Sequence, residues 1–165
     1  MQNPYKYSFD NNSSTYQFTT KNNIVYSIAF VEDDTLNTIS SSEVEIENMY
    51  QIVIEKQTDE LEPFDAQVFL TIDLIISDFF RKIENALIYI CSDDKGKQMK
   101  RFKAFNRWYK NSKHNAYISK VDNVISFEET KTIVYTSLLY HNENPNVKYI
   151  LDTFNKIEEV LNSEK

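Results

Sequence analysis

The 165 residues include one cysteine, one glycine, one tryptophan, two histidines and three prolines. Cys91 on its own cannot form an intramolecular disulfide, and the same count excludes a Cys-rich zinc site. A lone glycine, Gly96, excludes Rossmann loops, P-loops and kinase phosphate loops, which need several glycines for backbone N–H groups to approach phosphate closely. A long hydrophobic run is also missing. The longest apolar stretch, Val68 to Ile83, is interrupted by Asp73, Asp78 and Arg81, so it is too polar and too short to span a bilayer. Met1 to Asp10 shows no basic region followed by an apolar run, so no signal peptide and no membrane partner are expected, and the expected location is the cytoplasm.

Aromatic residues are abundant. Eleven Tyr and eleven Phe, with Ile, Val and Leu in most segments, suit a chain able to hide roughly 70% of its unfolded surface. The length predicts a single domain over 1–165 that folds without disulfide or structural metal. Eighteen Lys and Arg face 25 Asp and Glu, a net charge of −7, which argues against wholesale binding to nucleic acid or anionic membrane. The charge is uneven. Lys95, Lys97, Lys100, Arg101, Lys103, Arg107, Lys110 and Lys113 lie in one stretch without an acid, leaving 25 acids against 10 bases elsewhere.

Periodicity predicts an α+β fold, a mostly antiparallel sheet with about three packed helices. Tyr5, Tyr7 and Phe9 suggest a first strand. Tyr16 and Phe18 alternate with polar residues, as do Ile24, Tyr26, Ile28 and Phe30, and Lys21-Asn22-Asn23 between them predicts a hairpin turn, since Asn tolerates left-handed backbone. Glu32 to Ser42 is expected to be a polar loop. Val44, Ile46, Tyr50, Ile52 and Ile54 share one parity against Glu43, Glu45 and Glu47 on the other, predicting a long strand with an acidic solvent face. Pro63-Phe64-Asp65 is expected to open a helix running to about Ile83, with Asp65 as N-cap and Phe64 stapled onto Phe69. Its apolar stripe is wide enough to pack on more than one side. Ala86 to Cys91 has strand character, and Gly96 in the turn beyond it is expected at positive φ. Asn115 to Val121 and Val124 to Phe127 suggest strands around an Asp122-Asn123 turn. Thr130 to Tyr140 is apolar on both parities, as for a strand covered on both faces. A last helix is expected with Asn144 as cap, Pro145 in its first position and Val147, Ile150, Leu151, Phe154, Ile157 and Leu161 on one face.

Candidate chemistry is sparse. Cys91 closes a strand, but no spacing ties it to His114 or His141, so it reads as a small buried apolar side chain. Asp93 and Asp94 with Glu43, Glu45 and Glu47 could hold Mg²⁺ or Ca²⁺ if brought together, yet neither group has EF-hand spacing and both read as solvated carboxylates. The helix Lys97–Asn111 is different. Met99, Phe102, Phe105 and Tyr109 form an inward stripe bordered by Trp108, and Lys100, Lys103, Arg107 and Lys110 recur opposite them. A basic amphipathic helix can serve an acidic protein partner, nucleic-acid phosphates or an anionic surface, or can simply be solvated.

The order Tyr16-x-Phe18, then Thr71-Ile72-x-x-Ile75-Ile76-x-x-Phe79-Phe80, then Tyr89-Ile90-Cys91-Ser92-Asp93-Asp94-Lys95-Gly96-Lys97-Gln98, with Arg101, Phe105-x-x-Trp108-Tyr109 and Glu143-Asn144-Pro145, resembles an uncharacterised family of small bacterial proteins, a domain of unknown function. The resemblance implies a bacterial, cytoplasmic protein and carries over no catalytic residue, metal or cofactor. The expected function is non-catalytic: an interaction protein binding a protein partner, of immunity or antitoxin type and related to defence, through Lys100, Lys103, Arg107 and Lys110. The alternatives are a nucleic-acid accessory factor using the same helix and an enzyme with a metal site of dispersed carboxylates.

Overall fold

The computed structural model describes residues 2–40, 43, 45–57, 64–91, 96 and 98–163. Seven strands form one sheet in the order β1-β2-β3-β4-β5-β7-β6. In chain order the elements are β1 (Tyr7–Asp10), β2 (Thr15–Thr19), β3 (Val25–Glu32), α1 (Thr35–Ile39), β4 (Met49–Lys56), α2 (Ala66–Phe79), β5 (Ala86–Cys91), α3 (Gln98–Asn111), a 3₁₀ turn (Lys113–Ala116), β6 (Ile118–Phe127), β7 (Thr132–His141), α4 (Val147–Asn155) and α5 (Ile157–Ser163). All pairings are antiparallel except β4 with β5, where Met49, Tyr50 and Gln51 lie parallel to Ala86, Leu87 and Ile88. The fold is α+β, a mostly antiparallel sheet with helices packed on it as expected, and five helices lie among the described residues.

Side-chain alternation divides the core between the sheet's two faces. On one face Phe18, Ile28, Ile52, Leu87, Ile118 and Leu139 pack under α2 and α3. On the other, Met49, Ala86, Ile88, Ile125 and Leu138 pack under α1, α4 and α5, with Leu36, Ile150, Phe154 and Ile157 completing the layer. β7 is sandwiched between them, and Thr136 to Leu139 are all buried, as apolar character on both parities predicts. Several hydrogen bonds tie the N-terminal segment to α2, among them Gln67 Nε2 donating to the Asn3 carbonyl at 2.7 Å. Tyr5 N–H donates to Thr71 Oγ1 at 2.8 Å, Tyr5 OH to Asp65 at 2.6 Å and Tyr7 OH to Asp78 at 2.5 Å.

Asn23 turns the β2–β3 hairpin at φ 61, and Gly96 adopts φ 68. Asp65 caps α2, its carboxylate accepting from Gln67 N–H at 2.9 Å. Phe64 makes no staple, because it is 93% exposed. Helix α2 stops at Phe79, four residues before the expected end at Ile83.

Four further expectations are corrected. The loop after Glu32 holds the short helix α1, whose Leu36 is buried. The strand expected from Val44 begins only at Met49. Asn48 at φ 60 interrupts it, and the Asn37 side-chain amide occupies both backbone groups of Ile46, accepting from its N–H at 2.6 Å and donating to its carbonyl at 2.8 Å. Val44 itself lies outside the described residues, as do Pro63, Lys95 and Lys97. Asp122-Asn123 is not a turn but the middle of the ten-residue β6, with Asp122 opposite Ser137 and Asn123 opposite Thr136. The last helix starts at Val147, after Asn144 has accepted from Asn146 N–H at 2.8 Å. It breaks at Lys156, whose N–H bonds the Thr153 carbonyl at 3.1 Å, so α5 sets off separately.

Candidate functional site

Helix α3 is held to the sheet by aromatic contacts on one side. Phe102 lies 5.0 Å from Tyr135, and Phe105 stacks on Tyr89 at 4.3 Å and on Trp108 at 5.2 Å, measured between ring centroids. Tyr109 OH donates to the Ile118 carbonyl at 2.6 Å. Met99, expected in this stripe, is 39% exposed, so the packed face begins at Phe102. Below the helix lies a lysine that sequence reasoning passed over. The Lys120 side chain is 3% exposed and ion-paired with Asp122, and its Nζ sits 5.3 Å from the Phe102 ring centroid and 5.9 Å from that of Phe105. Ser137 Oγ donates to Asp122 at 2.7 Å. Cation–π contact of this kind contributes about 0.5–2 kcal/mol and fastens α3 onto β6.

On the opposite side Lys100, Lys103, Arg107 and Lys110 are all exposed, spaced so that they form one stripe along the helix. Among the described residues, none of the four pairs with an acid of the chain.

Between the solvent-facing stripe and α2 runs an apolar groove that sequence alone did not indicate. A cavity of about 530 Å³ is lined by Phe64, Phe69, Leu70, Ala104, Arg107 and Trp108 among others. It adjoins one of about 300 Å³ that shares Phe69, Ala104 and Trp108 and extends to Ile54, Tyr89 and Arg101. The residues toward α2, namely Arg101, Ala104, Trp108 and Asn111, recur at helical spacing. That signal was present in the sequence, but it identifies a groove only once α2 is known to lie alongside.

The other candidates are brought together differently. Cys91 is 2% exposed, and burial pushes its thiol above the ordinary value, against the smaller opposing effects of Tyr89, Arg101 and Lys120. Burial, and then the neighbouring Cys91, push the Tyr89 phenol up to about 12. His114 is paired not with Cys91 but with Asp73 of α2, and also contacts Tyr117. Glu45 and Glu47 line an acidic cavity of about 550 Å³ with Glu32, Asp33 and Asp34. Asp93 and Asp94 lie outside the described residues. Among the described residues, no three His, Cys, Asp or Glu side chains are placed to hold a metal ion, and no helix is long and apolar enough to cross a membrane.

Residues 64–156, the segment from α2 to the end of α4, match the model of a protein family of unknown function. The matched segment contains both walls of the groove and the whole of α3, and leaves β1–β4 outside. No curated protein and no solved structure matches the chain.

Proposed function

The chain belongs to that family, DUF6169, and from this premise we propose that it is a non-catalytic interaction protein of the cytoplasm, with an immunity- or antitoxin-like role, that binds a protein partner through the exposed side of α3. The observation that carries the reading is the state of Lys100, Lys103, Arg107 and Lys110. Four cations stand within about 15 Å along the helix. Like charges at this spacing destabilise a helix by about 0.2–0.5 kcal/mol per pair. No acid among the described residues offsets them. Acids presented by a partner would do so, and complementary charge of this kind raises association rates and excludes wrong partners. A nucleic acid is a poorer match, because the rest of the chain, with 25 acids against 10 bases, repels an extended polyanion.

The test reverses Lys100, Lys103, Arg107 and Lys110 to Glu. The fold is expected to survive, since all four side chains are exposed. Proteins captured from a native-host extract are then quantified on wild type and variant, and a specific partner is expected to fall several-fold, mainly through slower association. Wild type is also titrated with single- and double-stranded DNA and RNA at low salt. Tight binding whose log K falls by about 0.7–0.9 per phosphate neutralised, per decade of salt, overturns the protein-partner reading in favour of nucleic acid. Equal capture by wild type and variant overturns it in favour of a merely solvated face.

A further inference from the structure

The α2–α3 groove has a chemistry of its own, distinct from that of the charged stripe. Phe69, Leu70, Ala104 and Trp108 give it an apolar floor, Ile54 and Phe64 stand at its margins 46% and 93% exposed, and Arg101 and Arg107 border it. An apolar floor continuous with a basic edge is a composition that an amphipathic partner of opposite charge can cover.

Resting on the protein-partner reading above, we infer that the groove receives an acidic amphipathic helix of the partner, its apolar side chains entering between α2 and α3 and its carboxylates meeting Arg107 and the lysines beyond. Helix-in-groove recognition reads apolar anchors at i, i+3 or i+4, and i+7, and α3 offers a wall of about 20 Å along which four turns of such a helix fit. Charge complementarity selects an acidic occupant over a basic one. Among the described residues, a second copy of the chain does not supply it. Its helices α4 and α5, of which α5 is acidic, already bury Ile150, Phe154 and Ile157 against the sheet, and α1 is only five residues long. An anionic bilayer is disfavoured by a body of net charge −7.

The experiment pans a display library of random peptides of about 14–16 residues, four helical turns, against the full-length protein, then measures the affinity of enriched synthetic peptides by fluorescence anisotropy. Two variants report on the groove. Ala104→Trp fills it from an exposed helix position shared by both cavities, and Phe64→Ser removes a ring that contributes little to packing. Circular dichroism and thermal melting check that both remain folded.

Enriched peptides are expected to carry a net negative charge and two or three large apolar residues at helical spacing. They should lose about tenfold or more in affinity with Ala104→Trp, a smaller factor with Phe64→Ser, and weaken as salt rises. The inference is overturned if no peptide is enriched, if the enriched peptides lack acidic residues, or if a folded Ala104→Trp protein binds them as wild type does. Displacement of the peptides by anionic lipid vesicles at lower concentration than by neutral ones also overturns it, in favour of a lipid occupant. If the four-residue reversal to Glu abolishes peptide binding while Ala104→Trp leaves it intact, the groove inference falls and the reading of α3 as a protein-binding face stands.

Discussion

His114 reaches Asp73 at two atoms across 41 positions of sequence: its Nε2 lies 2.9 Å from the Asp73 carbonyl oxygen and 3.1 Å from carboxylate Oδ2. Both are acceptors, so Nε2 carries a proton, and the other ring nitrogen is 2.5 Å from the Tyr117 hydroxyl. The pair joins α2 to the 3₁₀ turn that follows α3, and therefore sets how the two walls of the groove stand relative to each other.

Removing the imidazole should leave a buried carboxylate without its donor. His114→Ala is expected to lower stability by about 3 kcal/mol, in the range for breaking one side of a buried pair, and to weaken anything bound between α2 and α3. Urea denaturation measures the first effect. An unchanged midpoint and slope would show that the two elements are held together by packing alone.

How much of this was legible in the sequence depended on whether the governing interaction was local. The β2–β3 hairpin was legible because Asn23 carries its own conformational preference, and β5 because Ala86 to Cys91 is apolar throughout. The exposure of Lys100, Lys103, Arg107 and Lys110 followed from helical spacing. The continuity of β6 was not legible. Asp122 and Asn123 read as turn residues until Ser137 and Thr136 opposite them supply hydrogen bonds of 2.7 Å and 3.0 Å. The start of β4 was misread because Ile46 is captured by the side chain of Asn37, a contact that parity cannot reveal. The groove needed two helices to be placed side by side, and the Asp73–His114 pair needed the same.

Alkaline pH should destabilise the protein through two tyrosines. Tyr7 and Tyr89 are each pushed up to about 12, chiefly by burial, with the hydrogen bond to Asp78 adding to the first and Cys91 to the second. Each therefore keeps its proton in the folded state at pH values where the unfolded chain, with phenols near 10, has lost it. Their contribution to stability is complete below pH 10 and is lost as pH rises through about 12. Melting temperature should fall across that interval while absorbance at tyrosinate wavelengths rises, and Tyr7→Phe should make the fall shallower. A melting temperature flat to pH 12 would contradict the assignment.

Cys91 should resist modification in the native state. At 2% exposure, with burial holding the thiol above its ordinary value, little reactive thiolate is presented at neutral pH. Iodoacetamide is expected to label the protein rapidly in urea and slowly without it, as followed by intact mass. Equal rates would mean that the β5 end opens freely. A folded Cys91→Ser variant should bind its partner as wild type does, and selective loss of function would assign the thiol a role.

Phe154 of α4 is fully buried, on the sheet face opposite the groove. Phe154→Ala is expected to cost about 3–5 kcal/mol, the range for large-to-small changes in cores, without altering the affinity of peptides held at α3. A wild-type urea midpoint would show instead that α4 is not part of the cooperative unit.

The single parallel join between β4 and β5 also bears on how the chain is made. A ribosome delivers β1 to β4 first, and these strands can close as an antiparallel meander once Lys56 has cleared the exit tunnel. The edge at Met49 to Gln51 must then wait for α2 to be synthesised before Ala86 to Ile88 can pair with it. At about 5–20 residues per second the wait is on the order of seconds. During it Phe18, Ile28 and Ile52 have no helix over them. A nascent chain stalled in that interval presents an unpaired strand edge beside uncovered apolar side chains, so slow codons between positions 57 and 85 should increase its dependence on ribosome-associated chaperones.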